Sequence, residues 1–168
     1  MAKLPSDADL ASFTGVALRE LPISWSDLVV NGRYQVFNPD ELDCVVALFG
    51  AEERHYIERQ ARHAGSSPKR VLSPGRMPMA TVLSGAAFAR VYDRPTHRTL
   101  FAMTPFLSRS KDRGLQVVQM EEAKLGDAMV TDHWIFMRQD AAGVWQRRSI
   151  PIGVREQLYL TDETGGAP

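Results

Sequence analysis

Residues 129–152 read MVTDHWIFMRQDAAGVWQRRSIPI, and this stretch decides the fold class. Two runs rich in β-branched and aromatic residues flank AAG, which has the composition of a turn. The pattern therefore predicts a β-hairpin. Neighbouring side chains of a strand point to opposite faces, so one of Arg147 and Arg148 faces the interior unless the hairpin is a solvated edge.

Further strand patterns lie on both sides of this hairpin. ATVLSGAAFARVYD (80–93) and RTLFAMTPFLS (98–108) flank a turn-like DRPTHR, and we expect a second hairpin in which residues 82–92 form a strand. LQVVQMEE (115–122) fits either a strand or a short helix. EQLYLTD (156–162) is predicted to be the last strand.

The first third of the chain has helical periodicity. Residues 6–21 predict one helix, and a second begins where Asn38 can cap and Pro39 suits the first turn. A third helix is predicted to end at Gly65. Helices followed by hairpin-linked strands predict an α+β fold with a mostly antiparallel sheet and helices packed on one face.

Length and charge limit the classes of protein that the chain can be. With 168 residues we expect a single domain (1–168), with a helical first third (about 6–65), a strand-rich remainder (about 69–163) and a loose tail (164–168). Twenty basic and twenty acidic residues cancel, which argues against a nucleic-acid-binding surface. No apolar run approaches the length of a membrane span, so we expect a cytoplasmic protein with no membrane partner. The sequence leaves the oligomeric state open.

Common catalytic motifs are missing from the sequence. It contains no Gly-rich phosphate loop, no nucleophile elbow and no zinc-binding helix signature. The four histidines are not spaced like a metal-binding pair, and the single cysteine, Cys44, falls in an apolar helical pattern that predicts a buried thiol. We therefore expect no metal site.

Arginines and one acid on predicted strands are the remaining candidates for chemistry. Arg90 would share a strand face with Phe88, and Asp162 would share one with Leu158 and Leu160. A carboxylate turned inward needs a partner. Two interpretations stay open at this point: a structural ion pair, such as Asp162 with Arg148 or Arg90, and a site for a small anion or carboxylate.

The C-terminal stretch resembles the chorismate lyase (chorismate–pyruvate lyase) family. DAAGVWQRRS, eight further residues and LYLTD are similar to that family's turn, tryptophan, Arg-Arg-Ser, eight residues and apolar run ending in Thr-Glu. FARVYDRPTHRTLFAMTPFLS resembles its arginine-bearing strand, turn and returning strand, and KLGDAM resembles its Leu-Gly turn. The resemblance covers residues 40–163 and is closest over 140–162.

The resemblance implies an enzyme that cleaves chorismate to 4-hydroxybenzoate and pyruvate without a cofactor, in an enclosed pocket. It implies that Arg90 and Arg148 hold carboxylates of an aromatic or cyclohexadienyl acid. The backbone at Leu125 and Gly126 would help to hold the ligand. Asp162 would act as the acid near the reacting ring, with Arg90 beside it as the second catalytic residue.

One departure from the family pattern keeps alternatives open. The family has a glutamate where this chain has Asp162, and aspartate is one methylene shorter. The chain could therefore be a non-catalytic relative that binds an aromatic acid as a sensor or carrier. It could also be an unrelated α+β protein whose sheet contacts another protein. Exposure of Arg90 and Arg148, together with the absence of an internal cavity, would favour that alternative.

Overall fold

The computed structural model describes residues 1–67, 72 and 80–165, and it describes residues 159–165 by their backbone alone. The segment SSPKRVLSPGRMP (66–78), whose composition is typical of a loop, lies largely outside the described residues. The described part is α+β with a mostly antiparallel sheet, as predicted. None of the helices in the described ranges is long and apolar enough to cross a bilayer.

The described residues form five α-helices and seven strands. The helices are α1 (Asp7–Leu18), α2 (Leu42–Phe49), α3 (Arg54–Ser66), α4 (Gly85–Tyr92) and α5 (Ile152–Gly165). The strands are β1 (Val29–Asn31), β2 (Thr81–Leu83), β3 (Thr96–Ala102), β4 (Phe106–Leu107), β5 (Arg113–Lys124), β6 (Asp127–Gln139) and β7 (Trp145–Arg148). Two short 3₁₀ turns, Pro39–Glu41 and Ala51–Glu53, precede α2 and α3.

The strands form one mixed sheet in the order β2-β1-β3-β5-β6-β7, with β4 paired to β5. β1 runs parallel to both β2 and β3, and the other neighbouring strands of the described sheet are antiparallel. The long β5–β6 hairpin is the centre of this sheet. Its two-residue turn, Leu125–Gly126, has positive φ at both positions (49° and 97°), as a tight hairpin turn requires.

Helices cover both faces of the sheet, so the prediction of helices on one face is wrong. α1 packs against one face, where Phe13 joins Val118 and Ile135 in a buried cluster. α2 and α3 pack against the opposite face, in a cluster that contains Leu115 and Val117. Because side chains alternate along β5, a strand with apolar residues on both sides needs a helical layer on each.

A buried hydrogen-bond network fixes α1 on the sheet. Thr14 donates from Oγ1 to Gln116 Oε1 at 2.7 Å and lies 2.8 Å from the Tyr34 hydroxyl. Gln116 in turn donates from Nε2 to the Met103 carbonyl at 2.6 Å. The helix lies so close to β5 that a Cβ atom at Gly114 would overlap the ring of Phe13.

Residues 82–92 were predicted to be a strand, and this prediction is wrong beyond β2. α4 begins at Gly85, with Ser84 at its N-cap, and carries Arg90 near its end. Phe88 and Tyr92 are four residues apart and therefore lie on one helix face, where both rings contact Phe101 of β3. Packing of these rings against Phe101, with Phe88 buried, stabilises the helix over the strand.

The prediction of a last strand at 156–162 is also wrong. The chain leaves β7 and forms α5, so Asp162 lies on a helix and the strand argument that pointed it inward does not apply. Val154 of this helix is buried, and Cys44 Sγ of α2 lies 3.7 Å from Gln157 Oε1. α5 therefore packs beside α2 instead of extending the sheet.

Most of the other local predictions are confirmed, and the predicted end of the third helix is wrong by one residue. The hairpin at 129–152 forms through β6 and β7, residues 115–122 are a strand, and Cys44 is buried. Asn38 caps the turn before α2 by accepting a hydrogen bond from the Asp40 N–H. Gly65 is not the end of its helix, because α3 continues through Ser66.

Candidate ligand-binding groove

Arg90 and the Leu125–Gly126 turn occupy exposed positions. Arg90 lies on α4 as an exposed residue, so its side chain does not point into the interior from a strand as predicted. Leu125 and Gly126 form the tip of the β5–β6 hairpin, and Leu125 is 87% exposed. The turn itself was predicted correctly.

Arg148 lies on the edge strand β7, where both it and Arg147 are exposed. The arginine pair therefore belongs to a solvated edge, and Arg147 donates to the Glu20 carbonyl at 2.8 Å. Arg148 lies opposite Phe136, ten residues along β6 from Gly126, which is a separation of about 30 Å at the usual rise per residue. The structure does not bring Arg148 and the hairpin turn together, and the Asp162 side chain lies outside the described residues.

A different group of residues forms an open groove of about 500 Å³ between α4 and the sheet. Its floor is the face of β3 and β5 that α2 and α3 leave uncovered, and Tyr92 of α4 forms one wall. The described residues that line it are Gln35, Val36, Tyr92, Phe101, Met103, Gln119 and Glu121. The lining thus combines aromatic and apolar side chains with two amides, and Glu121 is its charged residue.

Tyr92, His97 and Glu121 meet at one end of this groove. The Tyr92 hydroxyl donates to Glu121, with its oxygen 3.0 Å from Oε2 and 3.3 Å from Oε1. Nε2 of His97 lies 3.4 Å from Glu121 Oε1, and the Tyr92 and His97 rings are 4.8 Å apart. The hydrogen bond to Glu121, together with burial, raises the pKa of the Tyr92 hydroxyl, because both favour the neutral phenol.

The second nitrogen of His97 defines its tautomer. Nδ1 lies 3.2 Å from the Arg94 carbonyl, which can only accept, so Nδ1 carries a proton. Nε2 is buried and makes no hydrogen bond of acceptable geometry to any described residue, although it lies within ion-pair distance of Glu121.

This arrangement can hold a flat ligand against aromatic rings and accept hydrogen bonds from it. Phe101 and Tyr92 meet edge to face at 5.8 Å, which leaves ring surfaces beside the carboxylate of Glu121. Gln119 donates to Asp132 at 3.2 Å, so its own amide oxygen remains an acceptor. Across the described residues, no group of three or more His, Cys, Asp and Glu side chains is placed to hold a metal ion.

A smaller recess of about 220 Å³ lies beside α5, next to residues 132–134 of β6. His133 and Trp134 of β6 are among its lining residues, together with Arg155. Burial, and then the nearby charge of Arg147, lower the pKa of His133. As the alternation of β6 predicts, His133 and the neighbouring Asp132 point to opposite faces of the sheet.

Sequence patterns missed the groove because its polar residues come from separate elements. Tyr92 ends a helix that was predicted to be a strand, while His97 and Glu121 lie on two strands that pair. The register places Thr99 opposite Glu121, so His97 is the diagonal neighbour of Glu121 on the same face. A tyrosine and a histidine at the two ends of YDRPTH (92–97) were the available signal.

Comparison with known proteins adds no relative. No protein-family model, no curated protein and no solved structure matches the chain.

Proposed function

We propose that this protein binds a small aromatic molecule that carries an amine, in the groove between α4 and the strands β3 and β5. The observation that carries the proposal is the position of Glu121, whose carboxylate lies at the end of a groove walled by Tyr92 and Phe101. Its ligand would stack on the rings and donate hydrogen bonds to the carboxylate.

The size and the charge of the groove both support this ligand class. About 500 Å³ is within the range of sites for small organic ligands. A positive group is attracted by the faces of aromatic rings and by a carboxylate, whereas a second carboxylate is repelled by Glu121. The described lining contains no lysine and no arginine. An aromatic molecule with a positively charged alkylamine therefore fits better than an aromatic acid.

The groove offers little support for the lyase hypothesis, which only an activity measurement can test. Chorismate carries two carboxylates, and its binding would require cationic groups that converge on one site. Arg90 and Arg148 are both exposed, on α4 and on the edge strand β7. The lyase resemblance stays a prediction, which turnover of chorismate tests.

Calorimetric titration with two ligands of opposite charge tests the proposal. Tyramine and 3-(4-hydroxyphenyl)propionate share a phenol ring and a short chain, but the first is an amine and the second an acid. We expect tyramine to bind and the acid to bind at least ten times more weakly, because a hydrogen bond to a charged group contributes about 1.5–3 kcal/mol. Glu121→Gln should remove this preference.

Gln146→Leu is the matched control, because Gln146 is exposed on the remote strand β7. It should leave the affinity for tyramine unchanged. Equal affinity for the two ligands, or tighter binding of the acid, would contradict the proposed ligand class.

Incubation with chorismate decides the lyase hypothesis separately. Release of pyruvate that is lost in Arg90→Ala and kept in Arg94→Ala, a neighbouring exposed arginine, would establish a lyase. That result would replace the amine-binding proposal. We expect no pyruvate release from wild-type protein.

A further inference from the structure

Among the described residues, no strand pairs with the outer edge of β6 before Phe136. β7 pairs with β6 from Phe136 to Gln139, whereas the pairing of β6 with β5 begins at Asp127. The Gln139 N–H donates inward, to the Asp112 carbonyl, so the odd-numbered residues of β6 direct their backbone groups towards β5. The even-numbered residues direct theirs outward.

Ala128 and Val130 consequently present outward N–H and C=O groups that have no backbone partner among the described residues. An open edge of this kind is a template for another strand, and proteins commonly protect such edges with lysine or proline. The segment DAMVTDHWI (127–135) contains neither residue. No strand among the described residues covers this edge, and its acidic side chains are those of Asp127 and Asp132.

Exposed apolar side chains are concentrated at the turn end of the β5–β6 hairpin. Leu125, Met129 and Val130 are 87%, 58% and 52% exposed, and they are among the large apolar residues most exposed on the described surface. Leu125 adopts positive φ in the turn, a conformation that glycine or asparagine adopts more easily. Neither the core nor the groove uses these three side chains.

We propose that a second copy of this chain pairs with the β6 edge in antiparallel orientation, with Val130 opposite Val130 across a twofold axis. In this register Asp127 of one copy lies opposite His133 of the other. Arg147 lies near His133 on the same sheet face. The acidic Asp127 of each copy would therefore lie near the basic Arg147 of the other copy.

Other registers fit less well. Moving the axis to residue 132 would place Asp132 directly opposite its own copy, and like charges directly opposite each other are destabilising. The proposed pairing between the two β6 strands is limited at one end by the Leu125–Gly126 turn. On the other side β7 occupies the edge from Phe136 onward. The dimer would join the two sheets into one continuous sheet. Val130 at the axis pairs on its inner side with Glu121, so the contact would lie next to the strand that carries the groove carboxylate.

Light scattering coupled to size exclusion measures the association directly. Wild-type protein should shift from a mass of 18.7 kDa towards twice that value as concentration rises. Val130→Lys should remain a monomer over the same range, since it places two like charges opposite each other at the axis. Val144→Lys changes a valine of matched exposure (53%) near β7 and should leave the association unchanged.

A disulfide tests the register. Residues opposite each other in a hydrogen-bonded antiparallel pair have Cα atoms about 5.5 Å apart, which a disulfide can span. Val130→Cys should therefore form a covalent dimer under mild oxidation. Thr131→Cys should not, because its counterpart in the second copy is Met129.

A monomer at every concentration overturns the proposal, as does a dimer that Val130→Lys leaves intact. A dimer in which Thr131→Cys cross-links and Val130→Cys does not overturns the register. A monomer that instead binds an extended peptide along this edge overturns the assignment of a second copy as the occupant. Circular dichroism of each variant separates lost association from lost folding.

Discussion

Gln60 of α3 takes the place of a neighbouring strand for β4, and replacing it should destabilise the protein measurably. Its side chain donates from Nε2 to the Leu107 carbonyl at 2.7 Å and accepts from the Leu107 N–H at 3.1 Å. Both residues are buried, with exposures of 7% and 2%. Gln60→Leu therefore leaves a buried N–H and a buried C=O without partners.

The expected loss follows from these two groups. Each unsatisfied buried polar group costs about 1–3 kcal/mol, and the apolar surface of leucine recovers part of the sum. We expect the free energy of unfolding to fall by about 2–4 kcal/mol. For a chain of this size each kcal/mol lowers the melting temperature by about 2–4 °C, so the total shift is roughly 4–16 °C.

Thermal denaturation followed by circular dichroism measures this shift. Gln146→Leu makes the same replacement at an exposed position and should change the melting temperature by less than about 2 °C, because surface substitutions rarely exceed 0.5 kcal/mol. A Gln60→Leu protein as stable as wild type would refute the reasoning that the side chain completes the hydrogen bonding of β4.

Three further predictions concern the groove, the sheet and the packing of α1. The pKa of Tyr92 is raised above its usual value of 10.0, so its share of stability is present below pH 10 and is lost as pH rises further. In Glu121→Gln, absorbance titration should show Tyr92 ionising at lower pH than in wild type. The pKa of His133 is lowered from 6.5 because the ring is partly buried. The unfolded state therefore binds more protons, stability should fall as pH drops through 6.5, and His133→Gln should flatten that dependence in chemical denaturation. Gly114→Ala should lower the unfolding free energy by about 1–3 kcal/mol, since its Cβ would overlap the Phe13 ring, whereas Gly153→Ala, which meets open space, should not destabilise.

Local patterns were sufficient wherever one segment carries its own signal. Ser6 and Asp9 form a capping box at the start of α1, inside the helix predicted at 6–21. Turn residues between two alternating runs likewise predicted the β6–β7 hairpin. These features depend on residues close in sequence, so a single sequence can reveal them.

The α4 segment shows where local patterns fail. GAAFARVY has small residues at alternate positions and also has Phe88 and Tyr92 at helical spacing, so its sequence fits both structures. Contact of both rings with Phe101 decides for the helix. Because this segment is helical, Arg90 is an exposed residue of α4 and does not lie on the inner face of a strand.

The sequence by itself determined the α+β class, the antiparallel β6–β7 hairpin and the helical first third, because these follow from periodicity and turn chemistry within short segments. The tertiary structure alone decided where chemistry is possible. Glu121 meets His97 through the register of β3 on β5, and Tyr92 reaches both through the packing of α4. Register and packing depend on contacts between distant segments, which no local pattern encodes.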